Sequence, residues 1–162
     1  MSSHISPSGS GAESFPERSP KSRPVRVLVA DDDADIRRAV SDILSSAGYA
    51  VDAAEDGSLA WDTLQRNAYD ILITDNNMPK VSGVELLNKL RTAQMKLPVI
   101  MITSIVPQHE FANKPWLMPD ATVLKPFGTA ELLGKIGILL GGRSKSRIEA
   151  ELFVQAPTDR RF

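Results

Sequence analysis

From Val25 onward, short apolar runs alternate with longer segments in which apolar residues recur at helical spacing. An unbroken apolar run is typical of a strand covered on both faces, and repeated strand–helix units build parallel sheets. Five such units fit the sequence. The predicted strands cover residues 25–30, 49–54, 71–73, 97–104 and 121–125. The alternation therefore predicts one α/β domain with a parallel sheet over residues 25–140.

The segments between these runs predict helices with identifiable ends. The second helix is expected near residues 58–66, with three side chains facing the sheet: Leu59, Ala60 and Leu64. Ser82 and Glu85 have the spacing of a capping box at the start of the third helix. The fourth helix is expected to be short or distorted, because prolines at positions 107, 115 and 119 interrupt it. The last helix is expected from about Thr129 to Leu140.

The two ends of the chain differ from this pattern. Residues 1–24 contain eight Ser, four Pro and two Gly, a composition that favours disorder and contributes almost nothing to a core. They are therefore expected to form a disordered N-terminal arm. Residues 141–162 are too few for a second domain, so a C-terminal tail without an output domain is expected.

Composition narrows the classes of function. A chain of 162 residues suffices for one domain, so one site or one surface must carry the function. The 19 basic and 20 acidic residues nearly balance, which favours neither nucleic acid nor a membrane as a partner. The sequence has no Cys and two His, which excludes disulfides and argues against zinc. No long apolar segment or secretion signal is present, so a cytoplasmic protein is expected.

Polar side chains stand at the ends of four predicted strands. Residues 31–33 are three consecutive Asp after the first strand, Asp75 follows the third, Thr103 ends the fourth and Lys125 ends the fifth. The second strand ends in the sequence DAAE and offers no comparable group. Each residue alone has an ordinary explanation, such as Asp33 as a helix cap and Asp75 as a turn residue. Because the carboxyl ends of parallel strands converge at one edge, the set together predicts a functional site.

The residue types at this edge favour phosphoryl chemistry. Asp31, Asp32 and Asp75 would repel one another, so the site raises a pKa or takes up a cation. Ligands that are all oxygen select a hard ion, and Mg²⁺ suits two or three carboxylates with a carbonyl and waters. Once neutralised, the site can admit an anion, and Lys125 with the Thr103 hydroxyl suits a phosphoryl group. Asp75 would then be the nucleophile that forms an acyl phosphate.

Four motifs carry a resemblance to a known family. The sequences VLVADDD, DNNMP followed by Gly83, VIMITS and VLKPF occur in an order and spacing that resembles the receiver domain of bacterial two-component response regulators. The resemblance covers about residues 25–140 and implies a flavodoxin-like, doubly wound sheet with strand order 2-1-3-4-5. It also implies that a histidine kinase or phosphotransfer protein phosphorylates Asp75. A downstream protein of unknown identity would read the signal by contact, and homodimerisation is left open.

The resemblance implies roles for individual residues. The Mg²⁺ ligands would be Asp31, Asp32, Asp75 and the backbone carbonyl of Asn77. Thr103 would be the switch hydroxyl, Lys125 would bind the phosphoryl group, and the Lys125–Pro126 bond is expected to be cis. The protein is not expected to be an enzyme, but it would assist its own phosphorylation and its slow autodephosphorylation.

Two departures from the family keep alternatives open. Thr122 stands where the family usually has an aromatic residue, and the fourth helix is interrupted by prolines. One alternative is therefore a binding module of the same fold that signals without phosphorylation. A second is a Mg²⁺-dependent phosphohydrolase that uses Asp75. That class needs a further acid, and Asn77 occupies the expected position two residues later.

Overall fold

The structure, a computed structural model, describes residues 23–154. Within them, the strands are β1 Arg26–Ala30, β2 Ala50–Ala54, β3 Ile71–Thr74, β4 Val99–Thr103 and β5 Ala121–Leu124. The helices are α1 Ala34–Ser46, α2 Gly57–Arg66, α3 Gly83–Thr92, α4 Gln108–Ala112 and α5 Thr129–Val154. A 3-10 turn at Pro115–Leu117 lies between α4 and β5.

The five strands form one parallel sheet in the order β2-β1-β3-β4-β5. Val27 of β1 pairs with Val51 of β2 on one side and with Ile71 of β3 on the other. The chain therefore moves outward from β1 to β2, returns to β3 and continues to β5. The predicted doubly wound fold and strand order are confirmed. The strand order reverses between β1 and β3, which is where sites form in folds of this kind.

Two separate apolar cores cover the faces of the sheet. The first core joins alternate strand residues to α2, α3 and α4, with Leu64, Leu87 and Phe111 among its members. The second joins the other strand residues to α1 and α5, with Leu44 and Leu132 among its members. Burial on both faces explains why β1, β3 and β4 are almost continuously apolar.

The helices begin where side chains can cap them. Asp33 caps α1 by accepting hydrogen bonds from the N–H groups of Asp35 and Ile36. Ser82 and Glu85 form the predicted reciprocal capping box at the start of α3. The helices that flank the sheet are therefore fixed at the same edge where β1 and β3 end.

The structure corrects one helix face. Ala60 and Leu64 of α2 are buried as predicted, but Leu59 is 45% exposed. Ala60 and Leu64 lie four residues apart and define the inward face, so their neighbour Leu59 falls to the side of it. The short fourth helix is confirmed, since α4 spans five residues.

The ends of the domain also differ from expectation. Helix α5 continues past Leu140 to Val154, because Gly141 and Gly142 lower helix propensity without ending a helix. Arg23, within the predicted arm, pairs with the Asp70 carboxylate at 2.9 Å. Residues 1–22 of the arm and residues 155–162 of the tail lie outside the described part of the chain.

No helix within residues 23–154 combines the length and the apolar character needed to cross a membrane.

Candidate functional site

The carboxyl ends of four strands bring the predicted polar residues to one edge of the sheet. Asp31 follows β1, Asp75 follows β3, Thr103 ends β4 and Lys125 follows β5. Asp31, Asp75 and Thr103 are 3%, 6% and 0% exposed. Buried carboxylates must be paired or must coordinate a cation, because an isolated buried charge is costly.

Three carboxylates lie close enough together to share one ion. Oxygen atoms of Asp31, Asp32 and Asp75 all lie within 4.8 Å of one another, with Asp32 on the solvent side. This donor set contains oxygen alone and includes no thiolate or imidazole. It therefore fits a hard divalent cation such as Mg²⁺.

The ammonium group of Lys125 lies between two of these carboxylates. Its Nζ is 3.0 Å from Asp31 Oδ2 and 3.3 Å from Asp75 Oδ2. Burial alone would lower the pKa of Lys125, but the hydrogen bond to Asp31 and the charges of both carboxylates raise it above its ordinary value. Lys125 is therefore held as a cation beside Asp75.

One lysine does not fully compensate the buried acids. Burial raises the pKa of Asp31 above its ordinary value, although the Asp33 N–H and Lys125 both act in the opposite direction. A carboxylate with this shift gains from an additional cation. The Arg37 guanidinium does not supply that cation to the Asp31 carboxylate, because it donates to the Asp31 backbone carbonyl at 2.8 Å.

The loop that follows Asp75 is fixed by its first residue. Asn76 donates its N–H to Asp75 Oδ1 at 2.7 Å and accepts the Val84 N–H with its own side-chain oxygen at 3.1 Å. Gly83 packs so closely that a Cβ there would lie 2.3 Å from the Asp75 carbonyl oxygen. Glycine is therefore required at position 83 for α3 to start this near Asp75. Asn77 lies exposed in this loop.

The Thr103 hydroxyl is engaged by its own loop. It donates to the Ile105 carbonyl at 3.0 Å and accepts the Ile105 N–H at 3.4 Å.

Thr122 on β5 accepts a hydrogen bond at its backbone carbonyl from Lys135 of α5. The position where an aromatic residue is usual thus carries a small side chain, and its backbone carbonyl is bound by Lys135. The Lys125–Pro126 bond is cis, as the resemblance implied.

The segment after β2 also contributes a buried acid, which the sequence pattern did not predict. Asp56, two residues beyond this strand, is 3% exposed and binds Lys80 of the loop after β3. The sequence signal for Asp56 was its place before Gly57 at the start of α2, which predicts a cap and not a contact with another loop.

A doubly wound parallel sheet with buried acids and a lysine at its switch point defines a class of flavodoxin-like domains with an acidic site. Residues 27–137 match the family model described as the response regulator receiver domain. The chain therefore belongs to the response regulator receiver domain family of two-component systems.

Similar proteins agree with this assignment. Response regulator RppA of Synechocystis sp. is 37% identical over 117 residues, which cover 71% of this chain and 50% of that protein. The chain spans about half the length of the curated relatives that it matches. Chemotaxis protein CheY4 of Vibrio cholerae is 30% identical with a TM-score of 0.67, covering 72% of this chain and 99% of that structure.

A third similar protein has been solved as a complex. Response regulator TrrA of Thermotoga maritima, in complex with Mg(2+)-BeF, is 31% identical with a TM-score of 0.64. The alignment covers 72% of this chain and 99% of that structure.

Proposed function

We propose that this receiver domain accepts a phosphoryl group on Asp75 from a histidine kinase or a phosphotransfer protein, in a reaction that requires Mg²⁺. The observation that carries the proposal is the position of Lys125, whose ammonium contacts the carboxylates of Asp31 and Asp75 at 3.0 and 3.3 Å. These two contacts place a fixed cation beside an acid that is 6% exposed. A buried acid next to a cation and a metal-binding pair suits nucleophilic attack on phosphorus.

The residues divide into ligands and reacting groups. Asp31, Asp32, Asp75 and the backbone carbonyl of Asn77 would hold Mg²⁺. The bound ion would neutralise the acids and the developing charge on the phosphoryl oxygens. A carboxylate oxygen of Asp75 forms the new bond to phosphorus, while the bond from phosphorus to the donor imidazole nitrogen breaks. The electron pair of the broken bond stays on that nitrogen. Lys125 turns toward the phosphoryl oxygens as a point charge.

The phosphoryl group is lost when water hydrolyses the acyl phosphate. A water attacks phosphorus and the bond to Asp75 breaks, which restores the carboxylate and releases inorganic phosphate. Asn77 and Ile105 are both exposed beside the site, and Ile105 is 76% exposed. An amide can orient water and an aliphatic side chain can only exclude it, so within the slow autodephosphorylation proposed here we expect an intermediate lifetime of the acyl phosphate. The protein is in this sense a phosphoacceptor and not an enzyme with a separate substrate.

The signal leaves through the loop after β4. The Thr103 hydroxyl can donate only one hydrogen bond, so donation to a phosphoryl oxygen releases the Ile105 carbonyl that it now contacts. Release of this carbonyl would shift residues 104–118, which include the exposed side chains of Trp116 and Met118. Added charge on Asp75 thus changes a surface that a downstream protein, or a second copy of this chain, could read.

Residues 25–140 are proposed as the functional unit, with the arm and the tail flanking it. We propose a cytoplasmic location, which fits the lack of cysteine. Neither nucleic acid nor membrane is proposed as a direct partner, because the charges of the chain nearly balance.

Intact mass after incubation with acetyl phosphate and Mg²⁺ tests the proposal. We expect the wild-type protein to gain the mass of one phosphoryl group and the Asp75→Asn variant to gain none. Asp33→Asn is the matched control, because Asp33 caps α1 and Asn caps equally well. Phosphorylation of Asp75→Asn with unchanged stoichiometry would show that another residue is the acceptor.

Intact mass, together with beryllofluoride binding and a phosphate-release assay, separates the alternatives. A binding module that signals without phosphorylation would show no mass gain and no Mg²⁺-dependent binding of beryllofluoride. A phosphohydrolase would release phosphate from small phosphate esters over many turnovers, without accumulating phosphorylated protein.

A further inference from the structure

A second buried acid ties the loop after β3 to the start of α2. Asp56 is 3% exposed and caps α2 by accepting the Leu59 N–H at 2.8 Å. Its other carboxylate oxygen accepts a hydrogen bond from Lys80 Nζ at 2.9 Å. These contacts hold the pKa of Asp56 below its ordinary value, with the Leu59 N–H as the largest cause. Asp56 is therefore charged, and Lys80 is its counter-charge.

The backbone at this contact is unusual. Lys80 has φ 68°, in the left-handed region that side chains other than glycine rarely adopt. The next residue, Val81, packs so closely on α2 that a Cβ on Gly57 would lie 2.0 Å from its carbonyl oxygen. The loop and the start of α2 are thus pressed together, and the ion pair lies beside this contact.

The loop is fixed at its other end as well. The Asn76 carbonyl accepts the N–H groups of Met78 and Gly83 at 3.1 and 3.0 Å. Residues 77–79 therefore lie between an anchor on α3 at Asn76 and an anchor on α2 at Lys80. Asn77, whose carbonyl is proposed as an ion ligand, is the first residue of this short span.

We infer that Lys80 and Asp56 are positioning residues for Mg²⁺ binding, and this inference rests on the proposed function. Neither residue is proposed to touch the ion. The pair orders the loop before the ion arrives, which removes the cost of ordering the Asn77 backbone from the binding step. Asp56 also neutralises Lys80, so the lysine can hold the loop without repelling the ion. In this way Asp56, which follows β2, contributes to the site through the loop that follows β3.

Lys80→Gly is the variant that isolates the contact. Glycine adopts the left-handed backbone without strain and removes the ammonium group. Amide hydrogen exchange without any divalent ion should become faster in residues 76–82 and remain unchanged in the core strands. Titration calorimetry with Mg²⁺ alone should show a dissociation constant raised roughly two- to tenfold.

Three further variants separate positioning from general stability. Gln94→Gly is the matched control, because Gln94 also has a left-handed backbone, with φ 56°, at the far end of α3. It should leave both the loop exchange and the Mg²⁺ affinity unchanged. Lys80→Arg should retain the loop exchange and the Mg²⁺ affinity of the wild type, since arginine keeps the positive charge. Asp56→Asn keeps a capping oxygen but loses the charge, so it should reproduce the effect of Lys80→Gly.

The outcomes distinguish this inference from the proposed function. If the wild-type protein binds Mg²⁺ and Lys80→Gly binds it equally well, the positioning role is wrong. If exchange increases throughout the domain, Lys80 acts on global stability and the inference is also wrong. If the wild-type protein itself binds no Mg²⁺, the proposed function and the positioning role fail together. The loop exchange still shows whether Lys80 fixes the loop.

Discussion

Replacement of Lys125 by Met should destabilise the ion-free protein while strengthening its affinity for Mg²⁺. Met keeps the aliphatic stem of the lysine and removes the ammonium group that lies 3.0 Å from Asp31 and 3.3 Å from Asp75. The three acids of the site would then face one another without an internal cation. The variant therefore separates the structural use of positive charge at this site from its use in phosphoryl transfer.

The magnitude follows from distance and burial. At an effective dielectric constant of about 20, each contact is worth about 5 kcal/mol before desolvation is counted. Loss of one partner from a buried ion pair costs about 3–5 kcal/mol in free energy of unfolding. The Lys125 side chain keeps 17% exposure, so the lower end applies and we expect a loss of about 3 kcal/mol. The corresponding fall in melting temperature is roughly 6–12 °C.

Added Mg²⁺ should reduce this deficit. A ligand at a concentration of about 100 times its dissociation constant stabilises a protein by about 2.7 kcal/mol. If the variant binds Mg²⁺ about tenfold more tightly, saturating Mg²⁺ raises the free energy of unfolding of the variant by about 1.4 kcal/mol more than that of the wild type. Urea unfolding at neutral pH, with and without Mg²⁺, measures this difference. Phosphorylation by acetyl phosphate should nevertheless be lost, because the cation for the phosphoryl oxygens is gone.

Two results would refute this reasoning. A deficit that is the same with and without Mg²⁺ would mean that Lys125 and the ion do not share the same carboxylates. Weaker Mg²⁺ binding by the variant would mean that the lysine organises the acids instead of competing for them. Lys96→Met is the matched control, because Lys96 is exposed beyond the far end of α3, and its stability should change by less than about 0.5 kcal/mol.

Three further predictions concern the loops around the site. Gly83→Ala places a Cβ 2.3 Å from the Asp75 carbonyl oxygen, so it should cost about 1–3 kcal/mol in urea unfolding, and unchanged stability would contradict the close packing. The low pKa of Asp56 stabilises the fold above its unfolded pKa of about 4, and this contribution is lost as the pH falls through the lower folded value. Urea midpoints of Asp56→Asn should therefore fall less on acidification than those of the wild type, and parallel curves would exclude this role. Beryllofluoride with Mg²⁺ should change amide exchange in residues 104–118, whereas changes confined to the Asp75 loop would argue against release of the Ile105 carbonyl.

The strands could be predicted because burial on both faces of the sheet requires nearly every residue of a strand to be apolar. Ile71, Leu72 and Ile73 are each at most 1% exposed, and such a short apolar run bounded by turn residues is typical of a strand covered on both faces. Helix faces and ends were less certain. Leu59 was wrongly placed in the core because a short helix can be rotated by one position without losing its apolar pattern. The predicted end of α5 at Leu140 was wrong because glycine weakens a helix without ending it.

The candidate site was predictable to the extent that topology alone assembles it. Strand ends converge in any parallel sheet, so Asp31, Asp75 and Lys125 could be expected to meet. The contact between Asp56 and Lys80 could not be expected, because it joins two loops that have no periodicity. It also depends on a left-handed backbone at a lysine, which the sequence does not mark.

The division of the interior into two cores has a consequence for how such a chain tolerates substitution over time. Leu44 belongs to the core under α1 and α5, and Leu87 to the core under α2 and α3, with the sheet between them. Truncation of either leucine to Ala should cost about 2–5 kcal/mol. Because the two residues share no cluster, the costs should add to within about 0.5 kcal/mol in the double variant. A change on one face therefore cannot be compensated from the other, and each face of the sheet must accumulate its own matched substitutions.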